Sequence, residues 1–313
     1  PMGTLDKKPG VLLLSGGVGG ARLARGFSRL ERWDTTVVVN VGDDDWVYGV
    51  YVAPDLDTVV YTLAGEEGPQ GWGMADETWQ VMESLSKFEV DATFRLGDAD
   101  LATNLFRTMR IREGKPLSVV TGEIAAAFEL GARLLPATDQ PVRTKLQTVG
   151  GEWLDFQDYF VRRQHRDRIT RVRFDGAEAA RPAPGVIEAI GTARAVIIAP
   201  SNPPLSIWPI LAVPGIRSAL EAADAVIAVS PLFGGKALKG PAADVMDSLG
   251  LPPGNRGVAE AYRGLLSGLV VDIGDADDVG FLSDMGLGAW ATDTRIADPA
   301  AAARLAAEIM AAL

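Results

Sequence analysis

Short, continuous apolar runs alternate along this chain with glycine-rich turns and amphipathic stretches. Residues 11–14 are all apolar, and Ser15-Gly16-Gly17-Val18-Gly19-Gly20 follows them. Leu23, Phe27 and Leu30 then recur at roughly helical spacing. That order reads as buried strand, tight turn and helix. Further buried strands are expected at 36–41, 195–199, 225–229 and 269–273, each ending in Gly, Pro, Ser or Asp. Strands apolar on both faces, with helical segments between them, predict an α/β fold: a parallel sheet with helices on both sides. Helices are expected over 76–88, 98–112, 118–130, 214–223, 240–249, 258–266 and 299–313. Residues 133–183 break the rhythm. Within them 142–149 and 169–174 alternate in polarity as half-buried strands do, with a helix expected over 155–163. This stretch reads as a smaller α+β insertion in a core formed by 10–132 and 184–313.

Composition narrows the chemistry. In 313 residues, 30 Lys and Arg stand against 41 Asp and Glu, a net charge of −11. So acidic a chain repels a phosphate backbone or an anionic membrane, and its densest basic stretch, 162–173, is short and interrupted by acids. Neither nucleic acid nor a membrane is an expected partner. No cysteine is present, which removes disulfides, thiolate catalysis and cysteine-bound metals. The single histidine, His165, excludes His-rich metal sites and disfavours a Ser-His-Asp triad. No apolar run approaches the ~18 residues of a membrane span, and residues 1–9 read as a disordered leader. A cytoplasmic protein is expected, working with carboxylates, Lys, Arg, hydroxyls and backbone.

In open parallel sheets ligands bind beyond the carboxyl ends of the strands, and the unusual residues of this chain cluster there. Gly16, Gly17, Gly19 and Gly20 suit close backbone approach to a phosphate at a helix N-terminus; the alternative is a tight strand-to-helix turn. The run matches neither the dinucleotide fingerprint nor the P-loop pattern. Asp43-Asp44-Asp45 and Pro54-Asp55-Leu56-Asp57-Thr58 place five carboxylates within fifteen residues, among Trp46, Tyr48 and Tyr51. Such crowding favours a divalent cation such as Mg²⁺ or a protonated member; the alternative is a solvated loop with Asp57 as a helix cap. Arg95, before Leu96-Gly97-Asp98, would clamp an anion or a planar ring. Ser201 and Asn202, between prolines, suit a base or ribose, or simply fix a turn. Gly235 and Lys236 lie in a glycine-rich loop suited to a diphosphate.

Taken in order, the motifs resemble the 2-phospho-L-lactate transferase family (CofD, called FbiA in actinobacteria). The matching stretches are Ser15 through Leu23, Val39-Asn40 with Asp44-x-Trp46, Pro54-Asp55-Leu56-Asp57-Thr58, Leu96-Gly97-Asp98, Ala199-Pro200-Ser201-Asn202-Pro203, Gly240-Pro241-Ala242 and Gly257-Val258-Ala259-Glu260. The resemblance implies a Rossmann-like fold and a Mg²⁺-dependent phosphotransferase, expected as a homodimer. Its substrates would be a guanosine-diphosphate-linked donor and the deazaflavin precursor Fo (7,8-didemethyl-8-hydroxy-5-deazariboflavin). The reaction would release GMP and form (dehydro) coenzyme F-420-0. The acidic, Ala- and Arg-rich character looks like the actinobacterial branch, whose donor carries phosphoenolpyruvate in place of 2-phospho-L-lactate. By that resemblance Asp57 and Arg95 are associated with Fo, with Asp44 and Trp46 beside it. Asp44 and Asp57 would be catalytic and hold the metal, while the glycine turn, Ser201, Asn202, Gly235 and Lys236 would bind the nucleotide diphosphate. Asp45 and Ala99 depart from the family's usual residues. The gluconeogenesis-factor proteins, non-catalytic nucleotide-sugar-binding regulators, share the glycine turn and form the alternative. They typically carry Asp-Asp-Gly-Gly-Ser where this chain has Asp44-Asp45-Trp46-Val47-Tyr48.

Overall fold

The computed structural model describes residues 8–237 and 240–313. Most of the leader and residues 238–239 of the glycine-rich loop lie outside that range. Seven strands form the central sheet: β1 (Gly10–Ser15), β2 (Asp34–Val39), β3 (Arg133–Pro136), β4 (Ala193–Ile198), β5 (Val226–Val229), β6 (Gly268–Asp272) and β7 (Gly288–Thr292). Their spatial order is β3-β2-β1-β4-β5-β6-β7, with every neighbouring pair parallel. This is a Rossmann-type order with one strand added at the far edge. It reverses direction between β1 and β4, which opens a crevice at the carboxyl ends of those two strands.

The strands form where the apolar runs predict, because only fully apolar segments fit a sheet covered on both faces. Val11 through Leu14 and Val196 through Ile198 are essentially inaccessible to solvent. Helix α1 (Gly17–Ser28) crosses from β1 to β2 and packs against α2 (Pro54–Ala64) and the C-terminal helix Pro299–Ala311. Both edge strands escape the sequence reading. The Arg-Leu-Leu-Pro of β3 is short and closed by a proline, and β7 is only half-buried.

Strand β3 also corrects the insertion's boundary, since residues 133–136 belong to the central sheet. The excursion leaves and returns where Thr138 bridges Pro182 and where the Ala183 amide donates to the Ala137 carbonyl (3.0 Å). Inside it, Arg143–Thr148 lies between Trp153–Asp155 and Ile169–Asp175 in an antiparallel sheet. The helix expected over 155–163 is present as a short π-helix, Asp158–Arg162. Leu146, Leu154, Tyr159 and Ile169 pack on Leu205 and Val245 of the main body, so the insertion is docked through its own small core.

Candidate active site

The glycine turn is built by close packing. Ser15 ends β1, Gly16 is extended, and α1 begins at Gly17, whose φ of +64° is a left-handed conformation that favours glycine. A Cβ on Gly19 would lie 2.5 Å from the Pro200 carbonyl oxygen, so α1 rests directly on the chain leaving β4. Gly19→Ala is therefore expected to cost about 1–3 kcal/mol by overpacking, read as a lowered melting temperature. Ser201 locks the same junction: its buried hydroxyl donates to the Gly16 carbonyl (2.7 Å) and accepts from the Gly16 amide (3.2 Å). It therefore holds the turn. The Asn202 carbonyl oxygen accepts from the Leu205 amide (3.2 Å), leaving its amide nitrogen for a ligand.

From the turn, a row of buried polar side chains runs across the crevice. Asp55, in the first turn of α2, accepts from the Gly17 amide (2.7 Å) and from Asn40 Nδ2 (2.9 Å). One of the exposed amide donors at the start of α1 is thus already met by a carboxylate of the chain itself. Asn40 sits just past β2, donates more weakly to Asp43 (3.4 Å), and accepts from the Gly42 amide (2.8 Å), which shapes the acidic loop. Asp44 follows, only 1% exposed; its Oδ2 accepts from the Tyr51 hydroxyl (2.9 Å), while its Oδ1 has no partner among the described residues. Burial pushes the Asp44 carboxyl up to about 8, against the pull of Arg143. Burial, then the charges of Asp55 and Asp44, hold Asp43 well above the carboxylate range; burial also raises Asp55. The insertion closes this end, with Gln157 Nε2 donating to the Asp43 carbonyl (2.9 Å).

Asp57 belongs to a different constellation. Both its oxygens are taken by Arg107, which is buried to 1% exposure and also donates to Asn104 Oδ1 (2.9 Å) and the Tyr51 carbonyl (3.3 Å). Asn104 in turn donates to Asp100 (3.1 Å), which accepts from the Tyr61 hydroxyl (2.8 Å). Burial, then the charge of Asp57, pushes Asp100 up to about 7. Of the expected metal ligands Asp44 and Asp57, Asp57 is thus already engaged at both oxygens by Arg107, while Asp44 keeps an unpartnered oxygen among the described residues. The expectation of Asp57 as a simple helix cap fails: α2 begins three residues earlier, at Pro54.

Trp46 stands on the hairpin of Asp45–Val47 and Val50–Val52, 46% exposed, with its ring edge-on to Tyr51 (5.4 Å). It offers a flat apolar face at the mouth of the acidic row. Arg95 is exposed and lies over the Trp79 ring (4.3 Å), in the wall formed by this hairpin and residues 79–101. Asp98 is a cap, taking the amides of Gln80 and Val81 (both 3.1 Å). Gly235 and Lys236 lie in a second hairpin beyond β5, pinned by Asp275 through the Gly234 amide (3.0 Å), with the Lys236 side chain exposed.

Among the described residues no cluster of three or more His, Cys, Asp or Glu forms a protein-only metal cage. The unpartnered buried oxygen of Asp44 nevertheless suits Mg²⁺ held in the usual way, by one or two carboxylates together with substrate phosphates. Arg107 and Arg143 escape the sequence reading, which names Tyr51 beside the acids without giving it a role. For Arg107 a signal exists: Asp100, Asn104 and Arg107 fall on one face of the helix Asp98–Arg112 and face inward, while Leu105 and Met109 are exposed. No helix among the described residues is long and apolar enough to cross a membrane.

The sequence profile of the family described as "2-phospho-L-lactate transferase CofD" matches residues 11–294. The phosphoenolpyruvate transferases of Streptomyces coelicolor and Streptomyces griseus are 43% and 42% identical over 310 residues, covering 96% of this chain and 97% of each relative. That of Mycolicibacterium smegmatis is 41% identical over 288 residues, covering 85% of this chain and 88% of its own. In structure, a Bacillus halodurans protein described as a member of the UPF0052 family superposes with a TM-score of 0.65 at 18% identity, covering 97% of this chain and 99% of its own. That likeness concerns the fold alone. With a family match over nearly the whole chain and relatives above 40% identity, this chain belongs to the 2-phospho-L-lactate transferase CofD family and is a transferase.

Proposed function

We propose that this chain transfers a phosphoenolpyruvyl group from enolpyruvyl-diphospho-guanosine to a ribityl hydroxyl of Fo, releasing GMP and forming dehydro-F-420-0. The actinobacterial relatives named phosphoenolpyruvate transferase favour that donor over its 2-phospho-L-lactyl counterpart. The observation that carries the reading is the row from Gly17 to Asp44 at the switch point, with an unpartnered carboxylate oxygen at one end and an exposed Trp46 beside it.

Such a transfer needs alignment and charge neutralisation more than covalent help. The hydroxyl oxygen of Fo attacks the phosphorus bearing the enolpyruvyl group, and the bond to the GMP oxygen breaks. Trp46 and the Arg95–Trp79 stack flank the deazaflavin ring. An acid of the Asp43–Asp44–Asp55 row receives the hydroxyl's proton; burial raises all three carboxyls above the ordinary carboxylate range, Asp44 to about 8, which strengthens them as bases. Asp44 would hold Mg²⁺ together with the donor's phosphates, and the ion, when bound, offsets the charge of the diphosphate. Asn202, Gly235 and Lys236 would meet the nucleotide, and Asp57 supports the site through Arg107. The working unit is taken as a homodimer, checked by sedimentation.

Incubation with Fo, Mg²⁺ and each of the two donors, followed by mass spectrometry, tests the reading. The expected product is dehydro-F-420-0 with one GMP per turnover, and faster transfer from the enolpyruvyl donor. Tight binding of nucleotide sugars with no product from either donor would instead assign a regulator.

A further inference from the structure

One arginine at this crevice makes no salt bridge to a carboxylate among the described residues, although its charge reaches Asp43 and Asp44. Arg143 sits at the start of the insertion's central strand, half-buried, with its guanidinium carbon 5.7 Å from the centre of the Tyr51 ring. The neighbouring Thr144 amide donates to the Gly42 carbonyl (2.8 Å), so the strand is pinned to the acidic loop and Arg143 is held at its edge. Its hydrogen bond among the described residues goes to the Val142 carbonyl (2.9 Å), and no carboxylate of the described residues pairs with it. In a chain with 41 acids, most buried or half-buried arginines near an acid are paired, as Arg107 and Arg25 are. A guanidinium remains charged at any working pH and presents several donors in one plane, a geometry that matches a carboxylate with two parallel hydrogen bonds.

The position of Arg143 in the row suggests which anion it meets. Contacts run from the Gly17 amide through Asp55, Asn40, Asp43 and Asp44 to Tyr51, and Arg143 lies beyond the last of these. A donor whose diphosphate lies toward the glycine turn would carry its acid substituent to this far end. Arg143 is the guanidinium at that end, and its charge draws the neighbouring Asp43 and Asp44 carboxyls downward against their burial.

We infer that Arg143 is the receptor for the carboxylate of the transferred group, so that this insertion residue selects phospho-carboxylic acid donors. The inference rests on the transferase reading above and deepens it. The experiment compares binding, by calorimetry, of enolpyruvyl-diphospho-guanosine and its vinyl counterpart, which lacks the carboxylate, to wild type, Arg143→Met and Arg143→Lys. Wild type is expected to favour the carboxylated donor by roughly 10–100-fold, Arg143→Met to show almost no preference, and Arg143→Lys to fall between. A merely structural role for Arg143 would weaken both donors alike and leave their ratio unchanged. A wild type indifferent to the carboxylate, or an Arg143→Met or Arg143→Lys protein that keeps the full wild-type preference, overturns the inference. Fo turnover measured on the same proteins separates the two claims: an Arg143-dependent preference without transfer to Fo would overturn the transferase reading and leave the carboxylate receptor standing.

Discussion

Asp57→Asn is expected to destabilise the protein by about 3–5 kcal/mol, the usual cost of breaking a buried ion pair from one side. The substitution is nearly isosteric, so cavity formation contributes little. What it removes is the charge that compensates Arg107, one of the largest fully buried side chains among the described residues. The Arg107 guanidinium stays charged although its burial opposes the charge, so the variant strands a desolvated cation beside Asn104 and the Tyr51 carbonyl. A midpoint lower by on the order of 10 °C should appear in thermal melts. Pairing Asp57→Leu with Arg107→Met removes both charges and should recover much of the loss, since apolar replacements of a buried pair are often neutral. A melt of Asp57→Asn within a degree or two of wild type would remove the ion pair from the stability of this fold. Activity measurements on Asp57 variants then need normalising to folded protein, because inactivity alone does not place this carboxylate on the substrate.

That pair shows where the sequence was legible and where it was not. The five strands with fully apolar runs, and the helix over 98–112, follow from local pattern, because burial on both faces or on one stripe writes itself into consecutive residues. Strands β3 and β7 do not, since an edge strand needs neither a long nor a strongly apolar run. The acidic cluster is equally visible as composition, yet its division into an Asp43–Asp44–Asp55 row and a separate Asp57–Arg107 pair depends on a helix some fifty residues away. Periodicity marks the two faces of that helix without revealing which turns inward, and here the inward face is polar: Asn104, Arg107 and Thr108 are buried while Leu105 and Met109 are exposed. The part Ser201 plays in holding the turn is hidden for a similar reason, since nothing in the local sequence shows that the Gly16 backbone reaches its hydroxyl.

The Asp44→Asn variant is expected to be inactive and, at neutral pH, more stable than wild type. Burial raises the Asp44 carboxyl in the folded protein to about 8, from 3.8 for the free group. Below about pH 4 the carboxyl is protonated whether the chain is folded or not, and its titration costs the fold nothing. Between about pH 4 and 8 the unfolded chain releases the proton while the folded one keeps it, so fewer protons are bound on unfolding and stability falls as pH rises. Above about 8 the loss is complete. An asparagine has nothing to titrate, so the variant should lack this slope: it should melt near wild type at pH 4 and above it at pH 7, by about 2–4 kcal/mol. Transfer to Fo should fall by about 10²-fold or more, because the amide neither receives a proton nor holds a cation. Melts from pH 4 to 8, with and without Mg²⁺ and a guanosine-diphosphate donor, check both halves. Ligand should stabilise wild type most at high pH, where the ionised carboxyl most needs a cation, and should do little for the variant. Parallel pH dependences in the two proteins would show that Asp44 is not the group whose burial the fold tolerates for the sake of its chemistry.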